Sequence, residues 1–540
     1  MNTVTGFVAL CRLAARRDRF VLPLWTVGMA AFTAATTALW ARDLGNAADL
    51  VREARLAATS PGIRLLGLAS GPELGAYAMV RNFVLLAVLA ALMSVFAVVR
   101  HTRQGEETGR AELVGAAPVG RHAGLAAALA LTAAANVVLA VLIALALLLA
   151  GQPAAGSFAA GAAVGGVGVV FAGVAAVTVQ LAASTRAASG LAAAVLGVAF
   201  LVAGTANMAG RVDPSGLRVD SAWPAWLSPV GWGQQMRPFG GDRWWPLGLS
   251  VALFLAASGA AAVLAARRDF ALGLLPQRPG HGHAGWALRG PVGLAWRLQR
   301  GPVLGWAVGM LGFGLIMGGM VGQVRDATGS ARDWYVQMGG SERIVDAYRA
   351  SVMLMAGVAA AIYAVQVLLR LRSEEADGPL EPVLATAVGR VRWAAAHLGV
   401  TLLGTTGLVL LFAVGAGAAA TGVEGDPVGQ LAPLLRAGLV QLPAVGVLAA
   451  AVLVIVGVVP RHAVAVSWSM LTAAIVLGPL FGATLGVPAW ARDLSPFSHV
   501  PTVPAVPVDA GQVLGLVAVA VTAVVVGFTR LRHRDLHLPV

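Results

Sequence analysis

The sequence predicts an all-α polytopic membrane protein of twelve transmembrane helices, built as two fused six-helix halves. Three observations predict it. The 540-residue chain is 58% hydrophobic, with a mean hydropathy of +0.79. Only 12% of its residues are charged, about half of the roughly 25% usual in globular chains. Charged, tryptophan and proline positions also recur in the same order in both halves. Soluble cores stop growing beyond about 250–300 residues, so a chain this apolar has no way to bury its surface in water.

A helix needs about 20 mostly apolar residues to cross the hydrocarbon layer. In the first half, stretches of that kind lie at 21–40, 78–99, 123–150, 155–183, 187–210 and 245–266. In the second they lie at 303–321, 350–370, 393–421, 430–458, 463–486 and 511–529. Residues 1–20 carry Arg12, Arg16, Arg17 and Arg19 ahead of the first apolar run. A secretory signal would place its charges at the very front and follow the apolar run with a cleavage site, so a retained cytoplasmic segment is expected. An even number of spans puts both termini on one side. With the termini inside, the inner segments carry the whole net charge of +13 and the outer segments balance, as the positive-inside rule requires.

Composition also excludes function classes. All 38 basic residues are arginine. Without lysine the chain can build neither a P-loop nor a Schiff-base site. Cys11 is the single cysteine, which rules out an intrachain disulfide and a thiolate metal cluster. The basic balance is accounted for by orientation and by anionic lipid at the inner leaflet, and no basic stripe with interleaved aromatics points to nucleic acid. No nucleophile elbow, metal-ligand spacing or carboxylate pair inside a span suggests catalysis or a metal. His281 and His283 read as solvated linker residues.

The repeat is carried by residues outside the spans. Trp25-Thr26-Val27-Gly28-Met29 answers Trp306-Ala307-Val308-Gly309-Met310, and Pro224-Ala225-Trp226 answers Pro488-Ala489-Trp490. Arg267-Arg268-Asp269 after the sixth span answers Arg534-Asp535 after the twelfth. The halves are expected at 1–275 and 276–540, with a Pro/Gly/His hinge at 275–291. Six spans per half make this a parallel repeat.

The most informative match lies in the inner loops after spans two and eight. Glu106-Glu107-Thr108-Gly109 precedes Glu112 and a run ending Pro118-Val119-Gly120-Arg121. Glu374-Glu375-Ala376-Asp377-Gly378 precedes Glu381 and a run ending Ala387-Val388-Gly389-Arg390. Each reads as a short surface helix with acids at its start, where the helix dipole favours them. Pro118 marks the exit of the first copy, whereas the second carries Pro379 and Pro382.

These loops resemble those of the ABC-2 type permeases, in which a Glu-rich stretch ends in an "ATPVSR-like" sequence and forms a coupling helix. Twelve spans in one chain look most like the membrane subunits of actinobacterial polyketide-antibiotic (tetronasin-like) exporters. The resemblance implies docking of two copies of a separate ATPase subunit, with ATP and Mg on that partner and no cofactor in this chain. It implies coupling roles for Glu106, Glu107, Gly109, Glu112, Pro118, Arg121, Glu374, Glu375, Gly378, Glu381 and Arg390. It also implies interfacial connecting helices at 7–14 and 288–299, a bacterial inner-membrane location and a hydrophobic or amphipathic cargo. Arg186 and Arg461, in the short loops after spans four and ten, read as topology anchors.

The alternative from another class is a proton-coupled secondary multidrug transporter. Ionisable residues inside spans mark proton paths, and no Asp or Glu lies mid-span here, which counts against it. Asn82, Met93, Phe96, Met353, Tyr363 and Gln366 are the expected lining of a largely apolar substrate path. Gly161, Gly165, Gly168 and Gly173 suit close helix approach. The outer tryptophans, among them Trp223, Trp334 and Trp490, suit an interfacial belt.

Overall fold

The computed structural model describes residues 3–44, 46–269, 272–275, 283, 285, 288, 290–325, 336, 343–482 and 487–535. The chain divides into two compact units, Met1–Pro279 and Gly280–Val540. Most of the predicted hinge, His281 and Trp334 lie outside the described residues.

The first unit opens with α1 (Phe7–Arg17), an amphipathic helix that stops before α2 (Val21–Asp43). Two short helices, α3 (Ala47–Thr59) and α4 (Pro61–Leu66), lead to α5 (Leu74–His101). The loop helices α6 (Arg103–Glu107) and α7 (Arg110–Gly115) follow. Then come α8 (Ala123–Leu149), α9 (Ala154–Leu181) and α10 (Thr185–Met208). A two-stranded ribbon, β1 (Arg211–Val212) with β2 (Val219–Asp220), and α11 (Pro229–Gln235) precede α12 (Trp245–Arg267). Helix α9 is the most buried span of this unit, and glycine lets it be so. A Cβ on Gly161 would stand 2.0 Å from the Ala140 carbonyl oxygen, and one on Gly168 would stand 1.8 Å from Asn136 Oδ1. Any side chain there would push α8 away.

The second unit begins with α13 (Pro291–Gly319) and α14 (Val321–Arg325), followed by the buried α15 (Ile344–Leu368). Its loop helices are α16 (Arg370–Ala376) and α17 (Leu380–Leu384). Spans α18 (Arg390–Glu424) and α19 (Pro427–Val458), the shorter α20 (Ala463–Leu477), α21 (Ala489–Arg492) and α22 (Ala510–His533) complete it.

Two expectations change. Among the described residues, eleven helices rather than twelve are long and apolar enough to cross a membrane. The span expected at 463–486 is helical for 15 residues only, about 22 Å against a hydrocarbon layer of about 30 Å. Pro479 disfavours the helical conformation for the residue before it, and Gly478 leaves the helix at ψ −175°. Residues 483–486 lie outside the described residues.

The connecting helix expected at 288–299 is also not separate: α13 runs unbroken from Pro291 through the span. Gln299 stands where Asp18 breaks the first copy, and Gln is much the better helix former. Pro302 sits inside α13 and cannot donate to the Leu298 carbonyl. Arg370 Nη1 donates to that oxygen instead, at 3.2 Å.

Candidate functional site

In the first unit the loop turns on Gly109, whose φ of +70° is a conformation glycine adopts without steric cost. Glu106, just before the turn, points inward. It accepts hydrogen bonds from Arg103 and from both terminal nitrogens of Arg268, one of them at 2.9 Å. Arg268 lies one residue past α12, and its Nε also donates to Gln180 at 2.6 Å. Beyond α7, Arg121 Nη2 donates to the carbonyls of Ala265 and Ala266 at 3.1 and 2.9 Å. Those carbonyls are in the last turn of α12, where no intrahelical donor remains for them. The loop is therefore fastened at both ends to the last helix of its own half.

The second unit repeats the fastening. Arg534, just past α22, meets Glu375 in a two-pronged pair at 2.7 and 2.6 Å, a geometry that adds both energy and orientation. Arg372 stands 3.7 Å from the same carboxylate. Arg390 Nη1 donates to the Arg534 carbonyl at 2.6 Å. Gly378, at φ +91°, is the counterpart of Gly109.

This geometry corrects the register of the repeat. Arg103, Glu106, Gly109, Glu112 and Arg121 correspond to Arg372, Glu375, Gly378, Glu381 and Arg390. The tandem acids are thus one residue out of step: Glu107 corresponds to Ala376, and Glu374 to Gly105. Their partners agree. Glu107 is exposed and holds the start of α10, accepting from the Thr185 backbone N–H at 2.8 Å and from the Thr185 hydroxyl. Glu374 is buried and accepts from Arg370 Nε at 2.8 Å and Trp393 Nε1 at 3.1 Å, with His397 Nε2 at 3.4 Å. Gln299 stands 3.2 Å from the other nitrogen of that imidazole.

The first unit places its extra acid elsewhere. Asp18, buried at the break between α1 and α2, pairs with Arg100 and with His101 Nε2, the latter at 2.8 Å. Burial alone would raise the Asp18 carboxyl, but hydrogen bonds and charge from His101 and Arg100 outweigh it and hold it below its ordinary value.

The loop faces left exposed carry few acids. In the first copy they include Glu112, Leu113, Ala116, Ala117 and Pro118, with Leu113 78% exposed. In the second they include Glu381, Pro382, Ala385, Thr386 and Ala387. Sequence reasoning missed the roles of Arg268 and Arg534. The signal is their Arg-Asp echo, Arg268-Asp269 and Arg534-Asp535, just past the last helix of each half. It also missed Asp18, Gln299, Trp393 and His397.

The expected path residues fall three in each unit. In the first unit Asn82 is buried and donates to Thr36 Oγ1 at 2.8 Å, and Met93 is buried, while Phe96 is 43% exposed. In the second, Met353 and Tyr363 are fully buried, and Gln366 is exposed and accepts from Trp306 Nε1 at 3.0 Å. Trp223 and Trp490 are 71% and 72% exposed. Among the described residues no group of three His, Cys, Asp or Glu side chains could hold a metal ion.

A helical chain with this many apolar spans and a fastened loop in each half is a multi-pass membrane protein of the permease class. Residues 288–532 match the family described as multidrug efflux system permease Rv1217c, C-terminal domain. The chain is 38% identical to the multidrug efflux system permease protein Rv1217c of Mycobacterium tuberculosis (strain ATCC 25618 / H37Rv) over 537 residues, covering 98% of this chain and 95% of that protein. It belongs to the family of that efflux permease.

Proposed function

We propose that this chain is the membrane-spanning permease subunit of an ATP-driven ABC-2 type exporter in the bacterial inner membrane, expelling hydrophobic or amphipathic drugs. Two copies of a separate ATPase, which carry ATP and Mg, dock on the exposed faces of α7 and α17 with the termini on the cytoplasmic side. The observation that carries this reading is the pair of arginine-fastened loops. A loop tied at both ends to the last helix of its half transmits a push on its outer face to the spans instead of flexing. The relative's name supports drug efflux as the cargo class. The tetronasin-like resemblance supports an amphipathic ligand. In this arrangement Glu106, Glu374, Glu375, Arg121 and Arg390 brace the loops from within. Glu112, Leu113, Pro118 and Glu381 form the contact, and Gly109 and Gly378 set the turns.

The test is co-purification of the full chain with a co-expressed ABC ATPase subunit from the same organism, followed by ATP-driven drug uptake into inside-out vesicles. Wild type is expected to capture the ATPase. A combined Glu112→Arg, Leu113→Asp, Glu381→Arg variant is expected to lose it while folding normally. Drug transport driven by a proton gradient alone, with no ATPase bound, would overturn the proposal.

A further inference from the structure

The first unit contains an open cavity of about 780 Å³ between α1, the loop helices, the start of α8 and the end of α12. That volume lies within the range of about 300–1,000 Å³ typical of small-molecule sites. Its walls are largely apolar, with Leu10, Leu13, Val114, Val119 and Leu125 among them. Arg16, Arg17 and Arg110 also line it; all three are exposed and have no ion-pair partner among the described residues. Glu106 is the one carboxylate in the lining, and it is already bonded to Arg103 and Arg268. His101 is likewise occupied by Asp18.

The second half fills the corresponding place with its own side chains. In the corrected register, Gly105, Gly124 and Ala128 of the cavity wall correspond to Glu374, Trp393 and His397. Those three side chains are buried against one another and against Gln299. The cavity is therefore a position that one half plugs and the other leaves open, apolar within and cationic at the mouth.

We propose that this cavity is a binding site for an amphiphile with an anionic head, its apolar tail between α1, α7 and α8 and its head on Arg16, Arg17 and Arg110. The occupant follows from complementarity. An apolar interior selects a hydrocarbon tail, and three uncompensated guanidinium groups select a carboxylate or phosphate. Arg16 and Arg17 end an amphipathic helix next to the first span, the kind of segment that lies at a membrane surface. The proposal goes beyond the exporter reading and does not depend on it, since its test contains no ATPase.

The experiment titrates the purified full chain, in neutral detergent, with the fluorescent carboxylate dansyl-undecanoic acid and with its uncharged methyl ester. Wild type is expected to show a saturable fluorescence rise with the acid and binding at least about tenfold weaker with the ester. Gly124→Trp installs the plug of the second half, and a Cβ at Gly124 meets nothing within 4 Å. That variant is expected to abolish saturable binding while melting like wild type. The triple variant Arg16→Gln, Arg17→Gln, Arg110→Gln, which touches no packed position, is expected to bind acid and ester alike. Displacement of the probe by phosphatidylglycerol, and not by phosphatidylcholine, would assign the site to a membrane lipid. Displacement by long-chain carboxylates alone would assign it to a dissolved amphiphile; either supports the proposal. Three results would each overturn it: no saturable binding by wild type, an unchanged titration in a folded Gly124→Trp variant, or unchanged acid-over-ester preference in the arginine variant.

Discussion

The loops of the two halves do the same thing with differently placed acids. In the first, Glu106 is 11% exposed in its pair with Arg268, and a second carboxylate, Asp18, sits on the connecting segment. In the second, Glu375 is fully buried in its pair with Arg534, and the second carboxylate, Glu374, has moved onto the loop while Gln299 replaces Asp18. The consequences reach the backbone. An aspartate that recruits Arg100 and His101 accompanies a break between α1 and α2. A glutamine accompanies one continuous α13, whose interior proline leaves a carbonyl for Arg370. A duplicated fold can keep the fastening of a loop while exchanging which element supplies the charge.

The sharpest way to break this comparison is to remove the buried acid. Glu375→Ala removes a fully buried carboxylate from Arg534, whose side chain is 12% exposed, a loss of about 3–5 kcal/mol for buried pairs. We expect a large fall in detergent melting temperature and expression. Glu106→Ala strands Arg103 and Arg268, whose side chains are 1% and 10% exposed, and should cost a comparable amount, about 3–5 kcal/mol. A much smaller loss in either variant would mean that its loop is not fastened through this carboxylate.

Asp18 gives a pH-dependent contrast. Its folded pKa lies below its ordinary value, so the stability it contributes is full above the unfolded carboxylate pKa and is lost as pH falls through the folded one. The protection factors of amides in α1 and the following turn, corrected for the intrinsic pH dependence of exchange, should therefore fall on acidification. Asp18→Asn should abolish that dependence and cost about 1.5–3 kcal/mol. The segment around Gln299 carries no acid at that position, so any response there must come through Glu374 and His397. The smallest expected effect is at Glu107, whose carboxylate at the start of α10 is worth about 0.3–1 kcal/mol. Glu107→Ala should speed exchange at the first turn of α10 alone, and placing Glu at Ala376 should give no matching gain, because Pro460 stands there in place of Thr185.

Much of the architecture was legible in the sequence because crossing a membrane is a constraint on length and hydropathy, and both can be read directly. The shortened α20 was legible in principle from Gly478-Pro479, a backbone signal that a hydropathy window averages away. The register of the loops was not. Two adjacent glutamates in each copy can be matched two ways, and the positive φ of Gly109 and Gly378 with the arginine partners decides between them. Nor could sequence alone say which acids face inward. On a five- or seven-residue helix, one step in position turns a side chain from one neighbouring helix end to another: Glu106 meets Arg268 at the end of α12 and Glu107 meets Thr185 at the start of α10.

The arginine that closes each loop comes from the end of the same half: Arg268 closes the first and Arg534 the second. A cut in the hinge would thus deprive neither loop of its closing residue. Two separately translated polypeptides, one for each half, would each carry a complete latch. A split version of this gene, expressed as two chains, would be the natural starting point for swapping one half while holding the other constant.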